Sequence, residues 1–181
     1  DPKAQFREIL PSDFDHDGWL DLVLAGEQGL TMRRNLGTVR DAQPQFPLAT
    51  PDAAARLAAC RAVVADDFDA TLVDNEADYL VAGDGLALLS NRRAGQFENT
   101  SAQWKLPPYA LGDFPPPRAA LASEDLDLDG RPDLLLLGQG LSWSRNEGGH
   151  FGAPVVLDDE ARAGALADVD LDGLADRVDV T

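Results

Sequence analysis

Three stretches of this chain repeat one nine-residue acidic frame, Asp-x-Asp-x-Asp-Gly-x-x-Asp. They read DFDHDGWLD from Asp13, DLDLDGRPD from Asp125 and DVDLDGLAD from Asp168. Carboxylates at positions 1, 3 and 5, a Gly that lets the backbone reverse, and a fourth carboxylate at position 9 form a cage of hard oxygen donors. That donor set suits Ca²⁺ better than Mg²⁺ or Zn²⁺. The candidate ligands are Asp13, Asp15, Asp17 and Asp21, then Asp125, Asp127, Asp129 and Asp133, then Asp168, Asp170, Asp172 and Asp176. Four like charges packed into nine residues without a cation repel one another, so about three structural Ca²⁺ ions are expected.

The residues around each frame state what must position it. DLVLAG follows Leu20 and DLLLLG follows Pro132, both apolar runs too short for helices and ending at Gly, so they read as buried strands. FREIL and RAALAS precede the frames and are also strand-like. A metal loop between strands is not an EF-hand, which needs flanking helices and a Glu at position 12. That alternative keeps a foothold only at the third frame, where Asp179 stands at position 12.

The alignment extends past the loops. GEQGLTMRRN, GDGLALLSN and GQGLSWSRN each give a turn, another strand and an Asn (Asn35, Asn91, Asn146), and then a loop ending at Phe46, Phe97 or Phe151. Each unit therefore reads as a four-stranded antiparallel meander. Unit two is damaged: Asp67 and Asp69 fit positions 1 and 3, but three extra residues precede Asp78, leaving either a cage completed by Asp74, Asn75 or Glu76, or a solvated loop. The units cover approximately residues 5–50, 60–103, 118–157 and 163–181, forming a single segment over 1–181. Repeats of this length point to propeller blades or a related array.

Composition sets outer bounds. The chain has 181 residues, 44% of them hydrophobic, enough for a sizeable core, and a net charge of −17. Such acidity argues against nucleic acid and against an anionic membrane surface. No apolar stretch is long enough to span a membrane, and DPKAQFREIL carries no apolar leader. Cys60 is the only cysteine, so no intrachain disulfide forms, and it reads as a buried inert thiol.

No catalytic constellation emerges. His16 lies inside a metal loop at a non-ligand position and His150 lies in a turn, neither with a Ser or Cys partner at a suggestive spacing. GDGLA and GQGLS are explained by hairpin turns. PDAAARLAAC predicts one short helix. Trp143 reads as core. Trp104 precedes and Tyr109 lies within the Pro-rich stretch KLPPYALGDFPPPR, the expected exposed recognition loop, and for these two aromatics core packing and a place on a binding surface are equally open.

The strand–DxDxDGxxD–strand unit followed by Asn-x-Gly-Gly-x-Phe resembles the FG-GAP or VCBS repeat of integrin α-type propellers and cartilage acidic protein-like bacterial members. FENTSAQWKL and FPLATPDAA are similar to the segment that follows the Asn/Gly turn there. The resemblance is specific in units one and three, partial in unit four and poor in unit two. It implies an all-β, β-propeller-type array of four-stranded antiparallel blades, about three and a half present, forming a section of a larger propeller. It also implies a seventh-position backbone carbonyl as a further Ca²⁺ ligand, which here falls on Trp19, Arg131 and Leu174. The expectation is a non-enzymatic calcium-binding module outside the cytoplasm (extracellular, periplasmic or on the cell surface) mediating protein interaction or scaffolding. The alternative is a carbohydrate-binding or carbohydrate-active propeller, lectin or polysaccharide lyase-like. Open blade edges would permit self-association.

Overall fold

The structure, a computed structural model, describes residues 5–37, 45–50, 57, 59–69, 76–93, 95–109, 120–138, 140–161, 163–167, 169–170 and 176–180. It is all-β with one helical turn. The first sheet has the order β1 (Phe6–Ser12), β2 (Asp21–Gly26), β3 (Gly29–Arg33). The second runs β4 (Ala62–Asp66), β5 (Asp78–Ala82), β6 (Leu86–Asn91), β7 (Phe97–Asn99). The third runs β8 (Ala120–Glu124), β9 (Asp133–Gly138), β10 (Gly140–Ser144), β11 (Val155–Asp158), and the last pairs β12 (Ala163–Ala167) with β13 (Asp176–Val180). Every pairing is antiparallel between chain neighbours, as short hairpin connections dictate. The described residues form no closed barrel.

Register explains the sequence pattern. Val23 and Ala25 of β2 face one way and pack against Val63, Tyr79, Val81 and Leu89 of the next sheet. Leu80 and Leu88, on the opposite face of that sheet, pack against Leu134 and Leu136 of the third. Leu135, Leu137 and Leu141 turn to the far side. Alternate residues of one strand thus serve two neighbouring interfaces, and for this reason the central strands are apolar throughout rather than alternating. The leading strands lie side by side, β1 against β4, β4 against β8, β8 against β12. Between the first two, Val63 N–H donates to the Glu8 carboxylate at 2.7 Å and Tyr79 O–H contacts the Ser12 hydroxyl at 2.6 Å.

One expectation needs correction, and two open readings are decided for packing. The fourth strand of unit one is reduced to an isolated bridge between Arg33 and Leu48. The adjacent Pro47 has no N–H to give a ladder, and only single bonds such as Ala49 N–H to Met32 O (2.9 Å) persist beside it. Trp104 is not exposed: it ends an unanticipated helical turn, α1 (Ser101–Trp104), and is buried against Phe151 in the second core. Tyr109 is half-buried, its hydroxyl donating to Leu137 O at 2.8 Å. Residues 110–119 of the expected recognition loop, and 51–56 and 58 of the expected helix, lie outside the described residues. Cys60 is buried as expected, and burial pushes its thiol up to about 11. No described helix is long and apolar enough to cross a membrane.

Glu8 yields a test. Burial raises its carboxyl above the ordinary 4.5, outweighing the stabilising bond from Val63 N–H. A raised carboxyl contributes stability below its unfolded pKa and loses it as pH rises through the folded value. Glu8→Gln, which keeps an acceptor for Val63, should therefore match the parent near pH 4 and exceed it at pH 7. Glu8→Ala, leaving that N–H unsatisfied, should cost about 1–3 kcal/mol at both. Denaturant melts at the two pH values decide it; a Gln variant less stable at pH 7 would contradict the account.

Candidate metal centres

Each acidic frame folds as a tight connection between the first two strands of its unit. In the first, Asp13 accepts backbone N–H groups from Asp17 (3.1 Å to Oδ1) and Gly18 (2.9 Å to Oδ2), while Asp17 Oδ1 accepts from Trp19 N–H at 3.0 Å. The second frame repeats this residue for residue: Asp125 accepts from Asp129 (2.9 Å) and Gly130 (2.7 Å), and Asp129 Oδ1 from Arg131 N–H at 3.1 Å. Gly18 and Gly130 adopt φ of 90° and 85°, a region that strains any side chain, which accounts for Gly at position 6. Position 4 is also left-handed, at His16 (55°) and Leu128 (60°), a strain tolerated in both loops.

Position 9 opens the second strand and is buried. Asp21 is fully buried and accepts from Asn35 N–H at 2.6 Å and Phe14 N–H at 3.2 Å. Asp133, equally buried, accepts from Asn146 N–H at 2.7 Å and the Trp143 indole N–H at 3.1 Å. Burial is the main reason both carboxyls are raised above the ordinary range, with the neighbouring loop carboxylates adding to it and these hydrogen bonds opposing it. A divalent cation would act in the opposite direction, favouring the ionised form.

The carboxylates converge in two of the expected places and in one that the sequence left open. Oxygens of Asp13, Asp15 and Asp21 lie within 4.8 Å of one another, as do those of Asp125, Asp127 and Asp129. Asp17 is excluded from the first trio and Asp133 from the second. Arg34 lies 2.8 Å from Asp17 and also contacts Asp15, and Trp143 and Asn146 donate to Asp133. In unit two, Asp67, Asp69 and Asp78 form an equivalent trio within 4.8 Å despite the insertion. Glu76 does not join it: its carboxylate accepts from the Asn91 amide at 3.1 Å and lies 3.6 Å from His16 Nε2. Asp74 and Asn75 lie outside the described residues, as do Asp168, Asp172 and Leu174 of the last frame. There Asp176 accepts from Val169 N–H at 2.9 Å, matching the Asp21–Phe14 bond of the first loop. Trp19 is exposed, and Arg131 folds onto Asp129 and donates to Asn146 O at 3.0 Å.

Sequence reasoning found the Asn of each unit without assigning it work. Its backbone N–H binds the position-9 Asp in all three units, Asn91 reaching Asp78 at 2.8 Å. Its side-chain amide then ties neighbouring units: Asn91 donates to Phe14 O at 3.1 Å and Asn146 to Phe68 O at 2.9 Å. The phenyl rings of those loop residues meet Phe97 and Phe151 edge-on, with centroids 6.2 and 5.8 Å apart. Recurrence of Asn and Phe at fixed offsets from the acidic frame was the available signal. His150 pairs with Glu147 at 2.8 Å, leaving it in the turn as expected.

No protein-family profile matches the chain, and no curated protein matches it. Among solved structures, the fold is similar to that of an Agrocybe aegerita lectin whose structure explains its specific recognition of non-reducing terminal N-acetylglucosamine. The superposition has a TM-score of 0.56 at 20% identity and covers 94% of this chain. The chain spans 45% of that lectin's length, and at this identity the likeness is one of fold.

The Asn bonds predict a graded response. Asn146 is fully buried, and its amide serves Phe68 O and Pro132 O, so Asn146→Ala strands two carbonyls and should cost at least about 2 kcal/mol. Asn35, whose side-chain amide donates to Leu20 O within its own unit, should cost about half as much on the same change. Equal losses in parallel urea melts would remove the coupling role.

Proposed function

We propose that this chain is a segment of a Ca²⁺-braced β-propeller and that the assembled propeller is a non-enzymatic, carbohydrate-recognising module working where Ca²⁺ is abundant, outside the cytoplasm. The observation that carries the metal reading is the convergence of three carboxylates within 4.8 Å in each of three successive loops. The donors are hard oxygens, so they fit Ca²⁺, and two of the loops share one backbone conformation. Asp13, Asp15 and Asp21 would hold one ion, Asp67, Asp69 and Asp78 a second, and Asp125, Asp127 and Asp129 a third. The last frame, Asp168 to Asp176, is proposed on its sequence alone. When bound, the ion supplies positive charge that turns a repulsive turn into a fixed one, and its binding energy becomes folding energy. Side-by-side leading strands and sheets packed face to face support the blade reading, since a propeller radiates its sheets in this way.

Two partner classes follow from the sequence, protein and carbohydrate. Carbohydrate is preferred because the fold likeness covers nearly the whole chain and belongs to a sugar-recognising lectin. The FG-GAP/VCBS-like spacing is compatible with this choice, because it concerns the loop and not the ligand.

Two measurements test the proposal. Metal analysis should find about three to four Ca²⁺ per chain. Asp13→Asn, Asp67→Asn and Asp125→Asn should each remove one equivalent. A stoichiometric transition metal, or no metal at millimolar Ca²⁺, would sink the metal reading. Separately, a glycan array probed with the Ca²⁺-loaded chain should give signals for terminal amino sugars that fade in EGTA. A chain that takes up Ca²⁺ and melts cooperatively, yet ignores every glycan, would return the partner question to protein.

A further inference from the structure

Two arginines in different units make the same contact with their acidic loops. Arg34 and Arg145 each stand immediately before the unit's Asn, just past the third strand. Arg34 places Nε 2.5 Å from Asp15 Oδ2 and Nη2 2.8 Å from Asp17 Oδ2. Arg145 places Nε 2.5 Å from Asp127 Oδ2 and Nη2 2.8 Å from Asp129 Oδ2. The same two guanidinium nitrogens thus meet the same two oxygens at frame positions 3 and 5. A planar fork across two carboxylates is a geometry that guanidinium makes and ammonium cannot.

Unit two departs from this. Its equivalent residue is Ser90, a buried side chain bonded to Thr100 at 2.8 Å. The nearest described cation is Arg92, which is 3.9 Å from Asp69 and is engaged by Glu98 at 3.0 Å. Among the described residues the fork is thus seen at the first and third loops and not at the second.

The arginines take the Oδ2 atoms of positions 3 and 5, while Oδ1 of Asp17 and Asp129 faces the position-7 N–H and Oδ1 of Asp15 faces Asp17 N–H at 3.3 Å. We infer that Arg34 and Arg145 are tethered counter-cations, positioning residues that hold the first and third acidic loops closed when no metal is bound. Metal then adds to a turn already shaped, but against the repulsion of a fixed positive charge. The arginines preserve the metal-free fold and weaken the ion's grip. The inference rests on the loops being cation sites, although its metal-free half stands without that reading.

The test uses the full chain and four variants: Arg34→Met, Arg145→Met, the double Met change, and Arg34→Lys/Arg145→Lys. Met keeps the apolar stem without charge, and Lys keeps charge without the fork. Thermal melts in EGTA at low ionic strength should fall by at least about 3 °C for the double Met variant and by less for the Lys variant. The fall should be smaller at saturating Ca²⁺. In about 1 M NaCl, where the Debye length shrinks to about 3 Å, the difference in EGTA should narrow because the arginines are half exposed. Calorimetric titration of the double Met variant with CaCl₂ should show binding roughly threefold to tenfold tighter. Unchanged EGTA melts in the Met variants, or weaker Ca²⁺ binding, would overturn the inference, the latter making the arginines orienting supports. If neither parent nor variant takes up Ca²⁺, the metal reading fails on its own and the EGTA melts alone judge the fork. Should the double Met chain fail to fold in EGTA while the Lys chain folds, the inference stands; failure of both with and without Ca²⁺ would make the arginines general folding determinants and end it.

Discussion

Two unit charges about 4 Å apart interact by roughly 1 kcal/mol in water and about 4 kcal/mol near a protein surface. Each of the first three acidic loops sets three carboxylates within 4.8 Å, so folding gathers several such repulsions into one turn. Whatever offsets them decides whether the turn forms at all. Backbone N–H groups of Asp17, Gly18 and Trp19 supply part of the offset, and those of Asp129, Gly130 and Arg131 do the same in the third unit. The left-handed Gly at position 6 exists to point these amides inward. A bound cation would supply the rest.

The same constraint organises the packing between units. Asp21, Asp78 and Asp133 begin the central strands and are buried, each fixed by the backbone N–H of the unit's Asn. Because Asn91 and Asn146 also donate their side-chain amides to the preceding loop, a loop's shape is sensed by the next unit. Phe14 and Phe68 complete the joint by offering an aromatic edge to Phe97 and Phe151. Loop closure, strand start and unit docking are therefore one coupled event. An ion in one loop would stiffen its successor by the same route.

Much of this was legible in the sequence because it is local. Strand runs, turns and the Gly of each frame depend on residues a few positions apart, and DLVLAG and DLLLLG pair where the pattern puts them. What escaped depends on side chains meeting over distance. The unit-two trio draws on Asp67 and Asp78, and the insertion between them hid that both ends are fixed by strand register, Asp66 opposite Asp78. Trp104 stands just before a Pro-rich stretch that left core and surface equally open, and one helical turn places it in the core beside Phe151. The fourth strand of unit one failed for a local reason that the sequence did display, the Pro at 47.

Asp133 shows how far equivalent positions diverge. Asp21 spends its second oxygen on a backbone amide of its own loop and remains within the first trio, while Asp133 spends it on the Trp143 indole and leaves the third trio to Asp125, Asp127 and Asp129. Thr31 of β3 is opposite Leu24 as Ser142 of β10 is opposite Leu136, so Trp143 corresponds to Met32, a side chain with no N–H to offer. The two loops thus differ both in the partner of their position-9 Asp and in the carboxylates that converge. In the third unit the ring that anchors Asp133 also packs on the core beside Leu135, Leu137 and Leu141. The choice of ligand at the loop is tied to the apolar contact behind it, so loop chemistry and sheet packing in this unit answer to the same side chain.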